Sequence, residues 1–208
     1  ALAQVDLSDW DSIRKDPNLG SFLFVQYKFH FGVHAYTGKT FHDYLQETVY
    51  EHELRLGWRT VGNETWTRAL NYPLYGVGIY TADLGDEKYL GRPWAAYGFI
   101  QLPILWRPRH HFSADLATGL TFNLKPYNET TNPHNDAIGA DVSLYFSASI
   151  GGDLVISNAV DFTYGFGLTH YSNGRILSPN YGLNIFDVNM GLRYNFNPIY
   201  HKTKKIDA

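Results

Sequence analysis

A histidine and a serine stand two positions apart in the run His170-Tyr171-Ser172-Asn173-Gly174. A second polar run, Pro179-Asn180-Tyr181-Gly182-Leu183-Asn184, follows closely. In extended chain, residues i and i+2 point to the same side, so His170 and Ser172 share a face. A serine oxygen becomes a nucleophile when an adjacent base takes its proton and a third group orients that base. The chemistry open to such a set is acyl transfer. On their own, the two residues read first as polar side chains at an interface. What they can do depends on the element that carries them and on what it brings alongside.

The carrier has the period of a strand. Over 159–172, Val160, Phe162, Tyr164, Phe166 and Leu168 alternate with Asp161, Thr163, Gly165, Gly167 and Thr169. His170 and Ser172 continue the apolar face. The next segment, 183–196, sets Phe186, Val188, Met190, Leu192, Tyr194 and Phe196 against Asp187, Asn189, Gly191, Arg193 and Asn195. Asn184 falls on the same face as Phe186. Asp187, the nearest carboxylate, falls on the other. If no bulge intervenes, parity selects Asn184 as the third polar group beside His170 and Ser172.

Six earlier segments show the same alternation, near 23–36, 48–61, 71–82, 93–106, 110–124 and 139–157. In the fourth, which contains Pro103, Leu102 is placed with Tyr97 and Phe99. In the fifth, Leu124 is placed with Phe112, Leu116 and Phe122, opposite Asn123. In the sixth, Gly151-Gly152 suggests a bulge. Eight strands, several longer than a dozen residues, exceed the five or six residues usual for soluble strands. Long connections near 37–47, 83–92, 125–138 and 173–182 alternate with shorter ones at 107–109 and 157–159, while 62–70 is longer. An even strand count with alternating loop lengths is the pattern of a transmembrane β-barrel. The expected fold is therefore all-β, an eight-stranded antiparallel transmembrane β-barrel. A soluble lipocalin-like barrel, with its apolar faces inward, is the alternative.

Composition agrees. The chain has 208 residues, 44% hydrophobic, 16% aromatic and only 18% charged, with a net charge of −3. Aromatics are too plentiful for a disordered chain, and the charge gives no basic field for nucleic acid. No stretch approaches the roughly 18 apolar residues of a membrane helix; a barrel needs none. The absence of cysteine excludes disulfides, thiolate zinc sites and a cysteine nucleophile. Ala1-Leu2-Ala3 matches the small-residue pattern at which signal peptides are cut. The expected organisation is an N-terminal periplasmic segment over 1–20, with a short helix from Leu7 to Lys15, the barrel over 21–196, and a polar tail over 197–208. Glu51, Glu53, Arg55, Arg59, Asp115, Asp161, Asp187 and Arg193 face the lumen and should pair there, since eight strands enclose only enough space for side chains.

The motif His170-Tyr171-Ser172-Asn173, with Pro179-Asn180 and Gly182 beyond it, resembles the lipid A 3-O-deacylase family of the PagL type. The resemblance is densest over 168–184, and the strand plan is compatible along the chain. It implies a bacterial outer-membrane barrel that hydrolyses an ester-linked acyl chain of lipid A, the lipid part of lipopolysaccharide. It implies Ser172 as nucleophile and His170 as general base, with Asn180, and Asn173 or the Gly174 amide, as oxyanion donors. The acyl chains would lie on Phe162, Tyr164, Phe166, Leu168, Phe186 and Val188. No metal or cofactor is implied. The family's third triad member is a glutamate, and the matching position here is Asn184. Three outcomes follow from that departure. Asn184 orients the imidazole; or an acid such as Asp43 or Glu47 enters from a loop; or hydrolysis is lost and the barrel binds lipid or serves as a subunit of an outer-membrane complex.

Other polar groups read more plainly. His110 and His111 alternate faces and suit interfacial anchoring better than a shared metal. His30 and His34 share the inward face and should hydrogen-bond within the lumen. Lys39, Lys88, Arg92 and Arg175 lie in outer loops, where lipid phosphates could meet them, although exposed loop charges are common. Lys202, Lys204 and Lys205 solubilise the tail.

Overall fold

The computed structural model describes residues 22–35, 38–41, 45, 48–61, 64–107, 109–157 and 159–196. The expected N-terminal helix, the polar tail, Asp43 and Glu47 lie outside the described residues. Eight strands follow in chain order: β1 (Phe22–His34), β2 (Val49–Arg59), β3 (Leu74–Asp83), β4 (Gly91–Arg107), β5 (His110–Leu124), β6 (Ser143–Val155), β7 (Val160–Ser172) and β8 (Leu183–Asn195). Each pairs antiparallel with the next, and β1 pairs with β8, so the sheet closes into a barrel. Closure leaves no unpaired edge, which is the condition for crossing a bilayer with strands. At 10 to 17 residues each, the strands are long enough to span it. Two one-turn helices, α1 (Thr65–Ala69) and α2 (Glu87–Leu90), lie in the connections after β2 and β3.

The polarity of the two faces is inverted relative to a soluble barrel. The outward residues of β8, Phe186, Val188, Met190, Leu192 and Tyr194, are exposed, whereas Asp187, Asn189 and Arg193 are buried. The same alternation runs through β1, β2 and β3. Apolar side chains are stable on the outside only against lipid, and this removes the lipocalin-like alternative. Aromatic pairs lie near both rims: Trp58 stacks on Tyr75 toward one end and Trp94 on Phe122 toward the other, as expected at membrane interfaces. The lumen is filled by ion pairs, including Arg55 with Asp115, Lys28 with Glu53, and Arg193 with Asp153. Phe41, Leu84, Leu90, Ala137 and Ile138 come from the long-loop end and pack with Leu183 and Ile185 as an apolar plug above those charges.

Four local expectations are corrected. Leu102 faces outward, and Gln101 points into the lumen with Tyr97 and Phe99; the register with β5 shifts on either side of this stretch, between Gly91 and Trp94 and between Pro103 and Leu105. Asn123 takes a left-handed conformation (φ 63°), which turns its own side chain out and Leu124 into the core at 2% exposure. A two-residue period cannot register that turn. Gly151-Gly152 is not a bulge, because β6 stays in register with both neighbours. Gly152 instead leaves room for His110 and Tyr164 to meet across it, His110 Nε2 lying 2.5 Å from the Tyr164 hydroxyl. Finally, only His110 sits at the outer surface; His111 is buried beside Asp153.

Candidate active site

β7 ends at the barrel rim that carries the long connections, which is the extracellular end in outer-membrane barrels. Its last two outward positions are His170 and Ser172. β8 begins beside them across the 173–182 loop, and the register places His170 directly opposite Asn184. His170 Nδ1 lies 2.7 Å from Asn184 Oδ1. The Asn184 amide is oriented from its other end, since Nδ2 donates to the Ala35 carbonyl at 3.4 Å. With the amide oxygen turned to the ring, Nδ1 is the nitrogen that carries the proton. Nε2 is then left as an acceptor. Asp187 is three residues along β8 and buried in the lumen, where it pairs with His30.

Ser172 Oγ accepts hydrogen bonds from Asn180 Nδ2 at 2.8 Å and from the Gly174 backbone N–H at 3.2 Å. Gly174 has φ 66°, a left-handed conformation that suits glycine and that turns the chain so its N–H meets the serine. Among the described residues, Ser172 Oγ is bonded to these two donors and not to His170. Hydrogen bonds of this kind often tighten only with substrate in place. Asn173 has its backbone and side-chain amides engaged elsewhere. Its backbone N–H donates to Asn180 Oδ1 at 3.3 Å, and its side-chain amide donates to the Leu177 carbonyl at 3.0 Å. It braces Asn180 and the loop, and of the two alternatives named beside Asn180 it is the Gly174 N–H that bonds Ser172 Oγ.

The loop is tied down at several points. Tyr181 and Gly182 donate their backbone N–H groups to the carbonyls of Asp136 and Ala137 at 3.0 and 2.9 Å. The Asp136 carboxylate in turn accepts from the backbone of Lys39 and Thr40. Three outer connections are thus laced together beside the site. Gly182 has a second constraint: a Cβ there would lie 2.7 Å from His170 Cε1. Neither Ala35, Gly182's contact with the ring, nor Asp136 was visible in the sequence, because each depends on how loops meet in space.

The apolar face below the site is continuous. The Phe166 and Phe186 rings stack with centroids 6.1 Å apart and nearly parallel, and Val188 is exposed beside them. Phe162, Tyr164 and Leu168 complete the face on β7, each half-buried, Tyr164 holding its hydroxyl to His110. The other flank was missed. Leu144 and Phe146 on β6 lie opposite Ser172 and His170 and are exposed. Period two applied to β6 would have found them. At the loop tip Ile176 is 85% exposed, with Leu177 and Tyr181 also outward. Of the loop cations, Arg92 pairs with Asp83 at the surface.

The fold and the rim define an eight-stranded outer-membrane barrel. Neisserial surface protein A is similar in fold, with a TM-score of 0.55 and 11% identity, over 86% of this chain and 100% of that one. The outer-membrane enzyme PagL is similar at a TM-score of 0.54 and 11% identity, over 80% of this chain and 97% of its own. The sequence profile of the lipid A 3-O-deacylase (PagL) family matches residues 52–193. The chain belongs to that family and resides in the bacterial outer membrane. Comparison with curated proteins finds no match.

Proposed function

We propose that the protein is a serine ester hydrolase that removes an ester-linked acyl chain from lipid A, with Ser172 as nucleophile, His170 as base and Asn184 as orienting group. Family membership supports the substrate class. The observation that carries the catalytic assignment is the arrangement at the rim. His170 is held by Asn184 at 2.7 Å, and Ser172 Oγ is bracketed by two N–H donors on the lipid-facing surface.

The Ser172 proton passes to His170 Nε2 as Oγ bonds to the ester carbonyl carbon. The oxyanion is taken by Asn180 Nδ2 and the Gly174 N–H, donors of the kind that lower an acyl-transfer barrier by several kcal/mol. The C–O bond to the sugar then breaks, and His170 returns the proton to the leaving hydroxyl. Water, activated by the same imidazole, releases the fatty acid from Ser172. The acyl chain rests against Phe166, Phe186 and Val188, with Leu144 and Phe146 on the other flank. No step calls on a metal.

Asn184 stands where the resemblance implies a glutamate. Its amide holds the ring in the productive tautomer but carries no charge to offset the imidazolium. That neutrality is also the observation behind a second reading, a barrel that binds lipid A or an outer-membrane protein partner without cleaving it. Mass spectrometry of lipid A from cells with the wild type, with Ser172→Ala and without the protein separates the two. Loss of one acyl chain that depends on Ser172 is expected; lipid A unchanged by the wild type would favour the binding reading.

A further inference from the structure

The lumen holds more negative charge than it neutralises. Its buried cations are Lys28, Arg55, Arg59 and Arg193. Its buried carboxylates are Glu51, Glu53, Asp115, Asp153, Asp161 and Asp187. Among the described residues, four cations thus face six carboxylates. With the lumen imidazoles of His30 and His111 neutral, two negative charges are left over. An uncompensated charge away from water is costly.

The excess is localised. Glu53 is bound by Lys28 at 3.1 Å and Arg55 at 2.9 Å, and Asp115 by Arg55. Glu51 is fully buried, and neither of its carboxylate oxygens has a hydrogen-bond partner. It points at His30, its direct cross-strand neighbour, whose Nδ1 lies 3.5 Å from Glu51 Oε2. The same Nδ1 lies 2.8 Å from Asp187 Oδ1. The buried hydroxyls of Tyr80 and Tyr171 form no well-aligned hydrogen bond, although the Tyr80 hydroxyl approaches both Glu51 and Tyr171; the Tyr80 ring packs edge-on against His30.

We propose that His30, Glu51 and Asp187 bind one divalent cation of the zinc type in the extracellular half of the lumen. One ligand atom from each lies within 4.8 Å of the other two. Bonds of about 2.0–2.1 Å to a tetrahedral ion separate its ligands by about 3.3 Å, so small side-chain rotations close the set. The outer partner of the histidine is present too. His30 Nε2 faces Glu53 Oε2 at 3.2 Å. A proton on Nε2, donated to Glu53, leaves the Nδ1 lone pair aimed between Glu51 and Asp187. A carboxylate behind a ligating histidine is how such sites fix the tautomer. One imidazole and two carboxylates suit zinc-type ions better than Ca2+, which takes six or more oxygens. A divalent charge also offsets the two surplus carboxylates. The ligands come from β1, β2 and β8, so the ion would fasten the seam where the first strand meets the last. The inference does not depend on the proposed hydrolysis.

The test uses the full chain folded in detergent, loaded with Zn2+ and then desalted. Bound metal is measured by elemental mass spectrometry beside Glu51→Gln, Asp187→Asn and a surface-histidine control, His52→Ala. About one Zn2+ per chain is expected in the wild type and in the control, with retention lost in both lumen variants. Co2+ should give the visible absorption of a low-coordinate nitrogen-and-oxygen site. A wild type that keeps no zinc, lumen variants that keep as much as the wild type, or a Co2+ spectrum like that of the hydrated ion would each overturn the proposal. If a lumen variant fails to fold, the wild-type stoichiometry and the Co2+ spectrum still decide.

Discussion

His170 is held at Nδ1 by Asn184, and both that hold and the roles of His170 and Ser172 can be tested. Replacing Ser172 or His170 by alanine should lower deacylation by at least about a thousandfold, because triad members act as a unit. The barrel should still fold, as both side chains lie on the outer surface; retained heat-modifiable migration on gels checks this. Asn184→Glu should raise the rate about tenfold. A charged acceptor adds roughly 1–1.5 kcal/mol to a hydrogen bond, and here it does so only once His170 is an imidazolium. A large fall in rate would mean that the amide, with its tie to the Ala35 carbonyl, is specifically required.

At the scale of the strand and the loop, geometry depends on Gly182, whose place in the motif does not reveal the reason for it. Gly182 combines φ 79° with a Cβ position 2.7 Å from His170 Cε1. Gly182→Ala should therefore displace the ring, with deacylation falling about tenfold or more and the thermal midpoint falling only slightly, since the strain is local and at the rim. Equal losses in rate and in barrel stability would sink that account. The same scale shows what was legible in the chain. Period two placed His170, Ser172 and Asn184 on one face and Asp187 on the other, because β7 and β8 run without a bulge. The period failed at Asn123, where one left-handed residue reverses the faces. It was silent on Ala35 and Asp136, whose contacts join loops distant in sequence, and on the Asn173 side chain, which turns back onto the Leu177 carbonyl of its own loop. The resemblance offered Asn173 or the Gly174 amide as oxyanion donors, and a motif match says nothing about which way an amide turns.

Taken whole, the barrel is held by lipid outside and by charge inside. Arg55 is the hub of the lumen. It binds Asp115 through both terminal nitrogens and Glu53 through another bond, and it lies 4.3 Å above the Phe99 ring. Arg55→Ala should cost about 3–5 kcal/mol, the usual effect of leaving buried partners unpaired. Urea unfolding in lipid bilayers measures this, and a loss under about 1 kcal/mol would mean that water enters the lumen freely. Such a network was foreseeable as a set of inward charges, but not as specific pairs, since pairing across the lumen follows from barrel curvature and not from position along any one strand.

The outward placement of Ser172 has a further consequence. A hydroxyl on the convex side of a barrel, acting as the proposed nucleophile, would have no second wall of its own; the lipids around it would supply that wall. Its encounters are counted per unit area of membrane and not per unit volume of solution, and a substrate reaches it by sliding sideways within the leaflet. The working concentration of such a protein is a mole fraction, set by how crowded the sheet is with its target and untouched by the volume of water on either side.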